Sequence, residues 1–255
     1  MTVESGDTVG RFSDRVRDYV KYRPGYPPEM LELFRREMGL RPEHVVADIG
    51  SGTAISSRLF LENGNRVFGV EPNDAMRAAG EEFLSGFPNF TSVKGTSNAT
   101  TLADASCDFV IAAQAFHWFE PEATRREWRR ILKPGGWAAL IWNERQLATT
   151  PFLAEYEELL LRYANDYTKV RHENIDETKL TAFFQAAFQK AVFPNSQTLD
   201  VDGLTGRVLS SSYMPTAEDP RFPAMKNDLV SLVAKHGENG NIELLYDTTI
   251  YYSLL

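Results

Sequence analysis

At 255 residues the chain exceeds a typical single domain but falls short of two comfortable ones, so one elaborated domain outranks two independent ones. Apolar residues make up 43%, charged residues 24% and aromatics 12%, enough to bury a sizeable core and to exclude disorder as the ground state. A formal charge of −8 offers no global field for phosphate backbones, and the single cysteine, Cys107, excludes an internal disulfide or a cysteine-rich metal site.

In chain order, Met1 to Asp7 lack the basic and apolar stretches of an export signal, and no apolar run approaches the roughly 20 residues that span a bilayer; a cytoplasmic protein is expected. Tyr26-Pro27-Pro28 precedes a helix over Glu29 to Met38. Val45 to Ile49 is a short apolar run ending at Gly50-Ser51-Gly52, and Ile55, Leu59 and Phe60 follow at helical spacing until Asn63-Gly64. Arg66 to Val70 predicts a second strand, after which Asn73 or Asp74 caps a helix carrying Met76, Ala79 and Phe83. A third strand is expected over Phe90 to Lys94 and a fourth over Phe109 to Ala113. Pro121 opens a helix through Leu132, Lys133-Pro134-Gly135-Gly136 ends it, and Trp137 to Trp142 is a fifth strand.

This alternation of strand and helix implies a parallel sheet covered on both faces, with its ligand crevice at the carboxyl ends of the strands. Beyond Trp142 the rhythm changes. Helices are expected over Phe152 to Tyr163, Thr178 to Phe188 and Arg221 to His236, a strand starting at Ala191 to Phe193, and a last strand around Leu245 to Tyr252.

The strongest signal is Asp48-Ile49-Gly50-Ser51-Gly52-Thr53 directly after a strand. Glycines let the chain turn sharply and a ligand approach the backbone, while the next helix offers unpaired N–H groups. Glu71 lies 71 − 52 = 19 residues after Gly52, near the spacing at which an acid takes ribose hydroxyls. A dinucleotide site is therefore one reading, but Ile55 stands where that fingerprint requires a third glycine. Asp48 is awkward beside a pyrophosphate and suits a ligand carrying an ammonium group.

With these residues in view the sequence resembles the class I S-adenosylmethionine-dependent methyltransferases. Asp48 to Gly52 is similar to their first motif, Val70 to Met76 to their second, Gly95 to Leu102 to their adenine-edge segment, and Ala113 to Phe119 with Leu132 to Gly136 to their fourth strand and the turn into the fifth. Tyr22 to Pro27, Gln114 to Trp118 and Ser212 to Pro215 resemble the small-molecule branch that includes trans-aconitate-type methyltransferases. The resemblance implies S-adenosylmethionine as cofactor. It assigns Asp48, Gly50 and Gly52 to the methionine end with Thr53 beside them, and Glu71 to both ribose hydroxyls. Pro72 and Met76 would flank the adenine, Asn98 and the Ala99 N–H would serve its edge, and Gln114 would face the sulfonium side. Tyr22 and Arg23 would close over the cofactor carboxylate, unless Tyr26-Pro27-Pro28 marks only a turn.

Methyl transfer is an in-line displacement that needs no covalent enzyme intermediate. His117 is a candidate base or orienting group and Trp118 a candidate aromatic face for the sulfonium, beside Phe116 and Phe119. The competing reading makes His117 a packed core histidine and the three aromatics core or pocket wall. Arg125, Arg126, Arg129 and Arg130 are the one feature favouring RNA; against it stands a solvated face eased by Glu122 and Glu127. No spacing of histidines or acids calls for a metal.

The expected architecture is an α/β, Rossmann-like sheet of seven mostly parallel strands with an antiparallel last strand, helices on both faces, and a helical lid. Residues 1–145 would form the cofactor-binding core with N-terminal cap helices. Residues 146–255, which show no separate core pattern, would supply the lid, the acceptor region and the closing strands. The expected function is methyl transfer to a small-molecule acceptor, carboxylic acids among the candidates, without membrane or nucleic-acid partners. A nicotinamide-type oxidoreductase and an inactive S-adenosylmethionine-binding sensor or scaffold stay open as alternatives.

Overall fold

The computed structural model describes residues 16–165 and 177–255, with side chains from residue 19 onward. Helix α1 is Val16–Tyr22 and α2 is Pro28–Met38, the latter opened by proline at its first position and closed by Gly39 in the left-handed region. Next come β1 (Val45–Ile49), α3 (Ile55–Glu62), β2 (Arg66–Val70), α4 (Asp74–Phe83), β3 (Phe90–Val93) and β4 (Cys107–Ala113). A single 3-10 turn, Phe116–Trp118, leads to α5 (Pro121–Ile131) and β5 (Leu132–Arg145). The rest comprises α6 (Pro151–Tyr163), α7 (Glu177–Phe184), β6 (Gln189–Leu199), α8 (Val201–Leu209), α9 (Phe222–His236) and β7 (Ile242–Leu254).

The seven strands form one sheet in the order β3-β2-β1-β4-β5-β7-β6, the last strand antiparallel to the others, as the sequence led us to expect. β1 pairs in parallel with β2 (Val46 opposite Val67) and with β4 (Val46 opposite Phe109), so the strand order reverses direction between β1 and β4. In open α/β sheets such a reversal is where ligands bind, outside the carboxyl ends of the two strands.

Among the described residues, Gly25 to Asn143, 177–193 and 248–255 form one compact unit, which holds the sheet core. Successive residues of its strands alternate between two buried clusters: Phe109, Ile111, Ala139 and Ile141 face one side, Val110, Ala112, Leu140 and Trp142 the other. Met30, Phe34 and Phe60 from α2 and α3 cover the first side, and Trp128, Ile131, Phe183 and Phe184 from α5 and α7 cover the second. Burial on both faces accounts for the near-continuous apolar runs.

The second unit comprises described residues 16–24, 144–165 and 194–247. Contrary to expectation it has a core of its own: Leu153, Tyr156 and Leu160 of α6 meet Leu204 and Val208 of α8, Met225 and Leu229 of α9, and Leu244 and Tyr246 of β7. Their spacing of three and four residues along each helix is the amphipathic pattern that makes such a core.

Local expectations fail at three places. Lys133-Pro134-Gly135-Gly136 does not separate helix from strand: Leu132 pairs with Cys107 and Trp137 with Phe109, so the four residues between form a bulge inside β5. Lys133 Nζ anchors it on Asp108 Oδ2 at 2.8 Å. The helix expected to reach Phe188 stops at Phe184, and Gln185 comes next at φ 51°. α8 was not anticipated, and β6 runs on through Pro194, which an edge strand tolerates because its N–H side needs no partner. Among the described residues, no helix is long and apolar enough to cross a membrane.

Candidate active site

The turns at the carboxyl ends of β1, β2 and β4 build the site. After Ile49 the chain turns through Gly50 (φ 68°), Gly52 (φ 56°) and Ala54 (φ 61°) before α3 begins. Gly50 is required twice over, because a side chain there would be strained at positive φ and its Cβ would lie 2.7 Å from the Ala115 Cβ and 3.1 Å from the Phe119 ring. The Gly50 N–H donates to Val70 O at 2.8 Å, which ties the turn to the end of β2. No side chain caps α3, so its first N–H groups are left for another partner.

Asp48 is fully buried, and its Oδ2 accepts from the hydroxyls of Ser56 (2.6 Å) and Ser57 (2.7 Å) in the first turn of α3. Its Oδ1 is buried and has no hydrogen-bond partner. Burial pushes the Asp48 carboxyl up to about 6, with the two serine hydroxyls pulling the other way. Glu71, just past β2, accepts from the Gly52 N–H through Oε2 (3.0 Å) and from the Asn73 N–H through Oε1 (2.8 Å). Burial raises its pKa, against the lowering pull of those two N–H groups and of Arg77. Asn73 then caps α4, accepting from the Ala75 and Met76 N–H groups, so the acid is locked into the strand-to-helix turn.

Gln114 ends β4 at φ 57°; its N–H donates to Ile141 O at 2.9 Å and its Nε2 to Asn143 O at 3.0 Å, while its Oε1 is buried without a partner. The Thr53 hydroxyl is likewise buried and unpartnered. Three atoms without a hydrogen-bond partner, Asp48 Oδ1, Thr53 Oγ1 and Gln114 Oε1, belong to residues at or just past the carboxyl ends of the adjacent strands β1 and β4. Buried polar groups are normally satisfied, so these three atoms can take partners from a ligand, although Ser92 Oγ, Trp128 Nε1 and Trp142 Nε1 are buried without partners as well. Asp48, Gly50, Gly52, Thr53, Glu71 and Gln114 therefore share one end of the sheet.

The other sequence-selected residues are arranged less simply. Met76 is buried, its Cε 3.3 Å from where a Gly52 Cβ would stand, and Pro72 is half-buried beside Glu71. Asn98 is exposed, and its Oδ1 accepts from the Thr96 hydroxyl at 2.8 Å; the Ala99 N–H donates to Thr96 O at 3.2 Å, so both groups are engaged within their own turn. Phe116 is core, packed edge-on against Trp142 and Phe183. His117 is half-buried and Trp118 is 41% exposed, their ring centroids 4.7 Å apart. Tyr22 and Arg23 belong to the second unit and make their hydrogen bonds there: Tyr22 O accepts from Gln197 Nε2 at 2.9 Å, and Arg23 Nη2 donates to Ser210 O at 2.9 Å.

Sequence reasoning missed the supporting residues. Ser56 and Ser57 orient Asp48, and Asn143 orients Gln114 while its own Nδ2 reaches Gly25 O at 3.0 Å and its Oδ1 takes the Thr248 hydroxyl at 2.6 Å. Glu127 of α5 takes the Thr100 N–H (2.8 Å) and hydroxyl (2.5 Å), holding the segment after Ala99, and also binds Arg130. Signals were available: two serines in the first turn of the helix after the glycine turn, and an amide, Asn143, following the apolar run Trp137 to Trp142.

Residues 47–140 match the model of the methyltransferase domain family. The chain is 31% identical to an uncharacterized methyltransferase of Schizosaccharomyces pombe over 96% of its own length and 97% of that protein's, and 27% identical to a methyltransferase-like protein of the same organism over 95% and 94%. A putative type II methyltransferase from Anaeromyxobacter dehalogenans has the same fold, with a TM-score of 0.67 at 20% identity, over 91% of this chain and 98% of that one. A full-length methyltransferase relationship, on a sheet with this strand order and reversal point, decides against the oxidoreductase reading. The chain belongs to the class I S-adenosylmethionine-dependent methyltransferases.

Proposed function

We propose that the protein transfers the methyl group of S-adenosylmethionine to a small-molecule acceptor, with the cofactor seated at the carboxyl ends of β1, β2 and β4. The observation that carries this reading is the trio of buried, unpartnered atoms, Asp48 Oδ1, Thr53 Oγ1 and Gln114 Oε1, beside a turn that excludes any side chain at Gly50. The donor set fits the group: an acid without a counter-ion suits the ammonium of the methionine end, and Glu71, with one lone pair of each oxygen already used, retains acceptors for the two ribose hydroxyls. Met76 and Pro72 offer apolar surface to the adenine; Asn98 and Ala99 would serve its edge on exchanging the bonds they now make to Thr96.

When bound, S-adenosylmethionine supplies a methyl group on a positively charged sulfur, displaced in line by the acceptor. The chain's contribution is position. Gln114, fixed by Asn143 and Ile141, presents its carbonyl oxygen beside the turn, and Ser56 and Ser57 hold Asp48 in one orientation. Trp118 offers an aromatic face and His117 a group that takes a proton from, or orients, an acceptor. Acceptor choice resides in residues of about 146 to 240, outside the stretch matched by the family model.

A small acceptor is favoured over RNA by charge. Within the α5 arginine cluster Arg130 is committed to Glu127 (2.7 Å) and Asp104 (2.5 Å), and the chain carries −8 overall. The trans-aconitate-like motifs at Tyr22 to Pro27 and Ser212 to Pro215 point the same way. Incubation with methyl-labelled S-adenosylmethionine and a small-metabolite extract should give a protein-dependent labelled product in the low-mass fraction. Label confined to RNA or protein would overturn the choice of acceptor, and no labelled product at all would return the sensor reading.

A further inference from the structure

Among the described residues, the second unit holds two guanidinium groups with no carboxylate paired to them. Arg23, just past α1, is half-buried; its Nη2 donates to Ser210 O at 2.9 Å, its guanidinium carbon lies 4.6 Å from the Tyr19 ring centroid, and its Nε is buried without a hydrogen bond. Arg207, on α8, is 8% exposed; its Nε donates to the Tyr246 hydroxyl at 3.3 Å and its Nη1 to Ser211 Oγ at 3.0 Å, with Ser210 Oγ at 3.5 Å. The two guanidiniums therefore converge on Ser210, one through its carbonyl and the other through its hydroxyl, and both lie in the electrostatic reach of Tyr213 and Tyr246. Burial and then the charge of Arg207 push the Arg23 pKa down, whereas at Arg207 the neighbouring Tyr246, Tyr156 and Tyr213 outweigh burial and hold the pKa up.

Among the described residues no carboxylate pairs with either group. Arg145 provides the contrast: it stacks on Tyr156, which also neighbours Arg207, and is paired with Glu157. Removing two like charges from water is strongly unfavourable unless an anion joins them, and arginine stays charged where lysine would neutralise. Arg23 is the less buried of the two.

We propose that Arg23 and Arg207 form a binding site for a small organic carboxylate, which takes the free Nε–H of Arg23 and the Arg207 N–H groups not already given to Tyr246, Ser210 and Ser211. The guanidinium fork matches a planar carboxylate, and the aromatic carbon of Tyr19, Tyr213 and Tyr246 suits an organic skeleton better than inorganic phosphate. The identity of that carboxylate as the methyl acceptor rests on the proposed methyltransferase function. It also gives Arg23 to the acceptor rather than to the cofactor's own carboxylate.

The test is calorimetric titration of the full chain with glutarate and phenylacetate, their neutral methyl esters, inorganic phosphate and, separately, S-adenosylhomocysteine. The expected result is binding of the carboxylates and not of the esters, weakened by roughly ten- to a hundredfold in Arg23→Gln with S-adenosylhomocysteine affinity unchanged. Arg207→Lys, which keeps the charge and loses the fork, should weaken the same ligands; if that buried variant does not fold, Arg23→Gln at the less buried position carries the test alone. Binding of phosphate without carboxylates, or of no anion, overturns the site. Loss of S-adenosylhomocysteine affinity in Arg23→Gln with carboxylate binding intact also overturns it and assigns Arg23 to the cofactor. Carboxylate binding by a protein that does not bind S-adenosylhomocysteine upholds the anion site and removes the acceptor identity, so the two failures are told apart.

Discussion

At the scale of single residues, Asp48 links stability to function. Its carboxyl is pushed up to about 6 in the folded protein because burial disfavours the charge, whereas in the unfolded chain it titrates near 3.8. The folded state thus holds a proton that the unfolded state releases, so the stability this group contributes is complete below the unfolded value and is lost as pH rises to about 6. Denaturant unfolding of the wild type against Asp48→Asn should therefore show the wild type losing about 2–3 kcal/mol relative to the variant between about pH 4 and about pH 6. Parallel pH curves would mean that Asp48 is not perturbed by its surroundings. An ammonium brought to Oδ1 would reverse the preference, so cofactor binding should release a proton near the same pH. Asp48, the glycines and Glu71 were legible in the sequence because their chemistry is local to one turn and its 19-residue echo. The Asn143 link to Gln114, 29 residues away, was not, because it depends on β4 and β5 lying side by side.

Elements were most legible where local signals agree. Pro28, Asn73 and Pro121 mark helix starts that the structure reproduces, and the apolar runs after them are the buried strands. α8 escaped because Gly203 and Gly206 lower helix propensity in a nine-residue segment. The structure gives the reason for one of them: a Cβ on Gly206 would overlap the Tyr22 ring, so close approach of α1, invisible in sequence, overrides propensity. The bulge at Lys133 to Gly136 was misread because Pro-Gly-Gly is as good a helix stop as it is a bulge. One element contact makes a direct prediction. Glu127 ties α5 to Thr100, and Arg130 with the Thr100 donors holds its carboxyl down to about 2. A depressed acid stabilises above its unfolded range and loses that contribution as pH falls toward 2. Glu127→Gln should cost roughly 1–3 kcal/mol at neutral pH and about nothing at pH 2, measured by urea unfolding. An equal cost at both would show that the ionised carboxylate is not what anchors the segment.

For the whole molecule, length and charge take on definite meaning. The excess over one domain is accounted for by a second unit with its own core, built from α6, α8, α9 and part of β7, which the sequence reading did not anticipate. The charge of −8 coexists with guanidinium groups concentrated at Arg23 and Arg207, so the acidic average conceals a locally cationic place suited to a small acid. The central claim is that the region outside β1, β2 and β4 holds S-adenosylmethionine through Asp48 and Glu71. Titration calorimetry with S-adenosylhomocysteine and NAD on the wild type and Glu71→Ala tests it most directly. The account predicts that S-adenosylhomocysteine binds and NAD does not, and that Glu71→Ala keeps its fold while losing roughly tenfold or more in affinity. Binding of NAD in preference, or an unchanged affinity in Glu71→Ala, would contradict it.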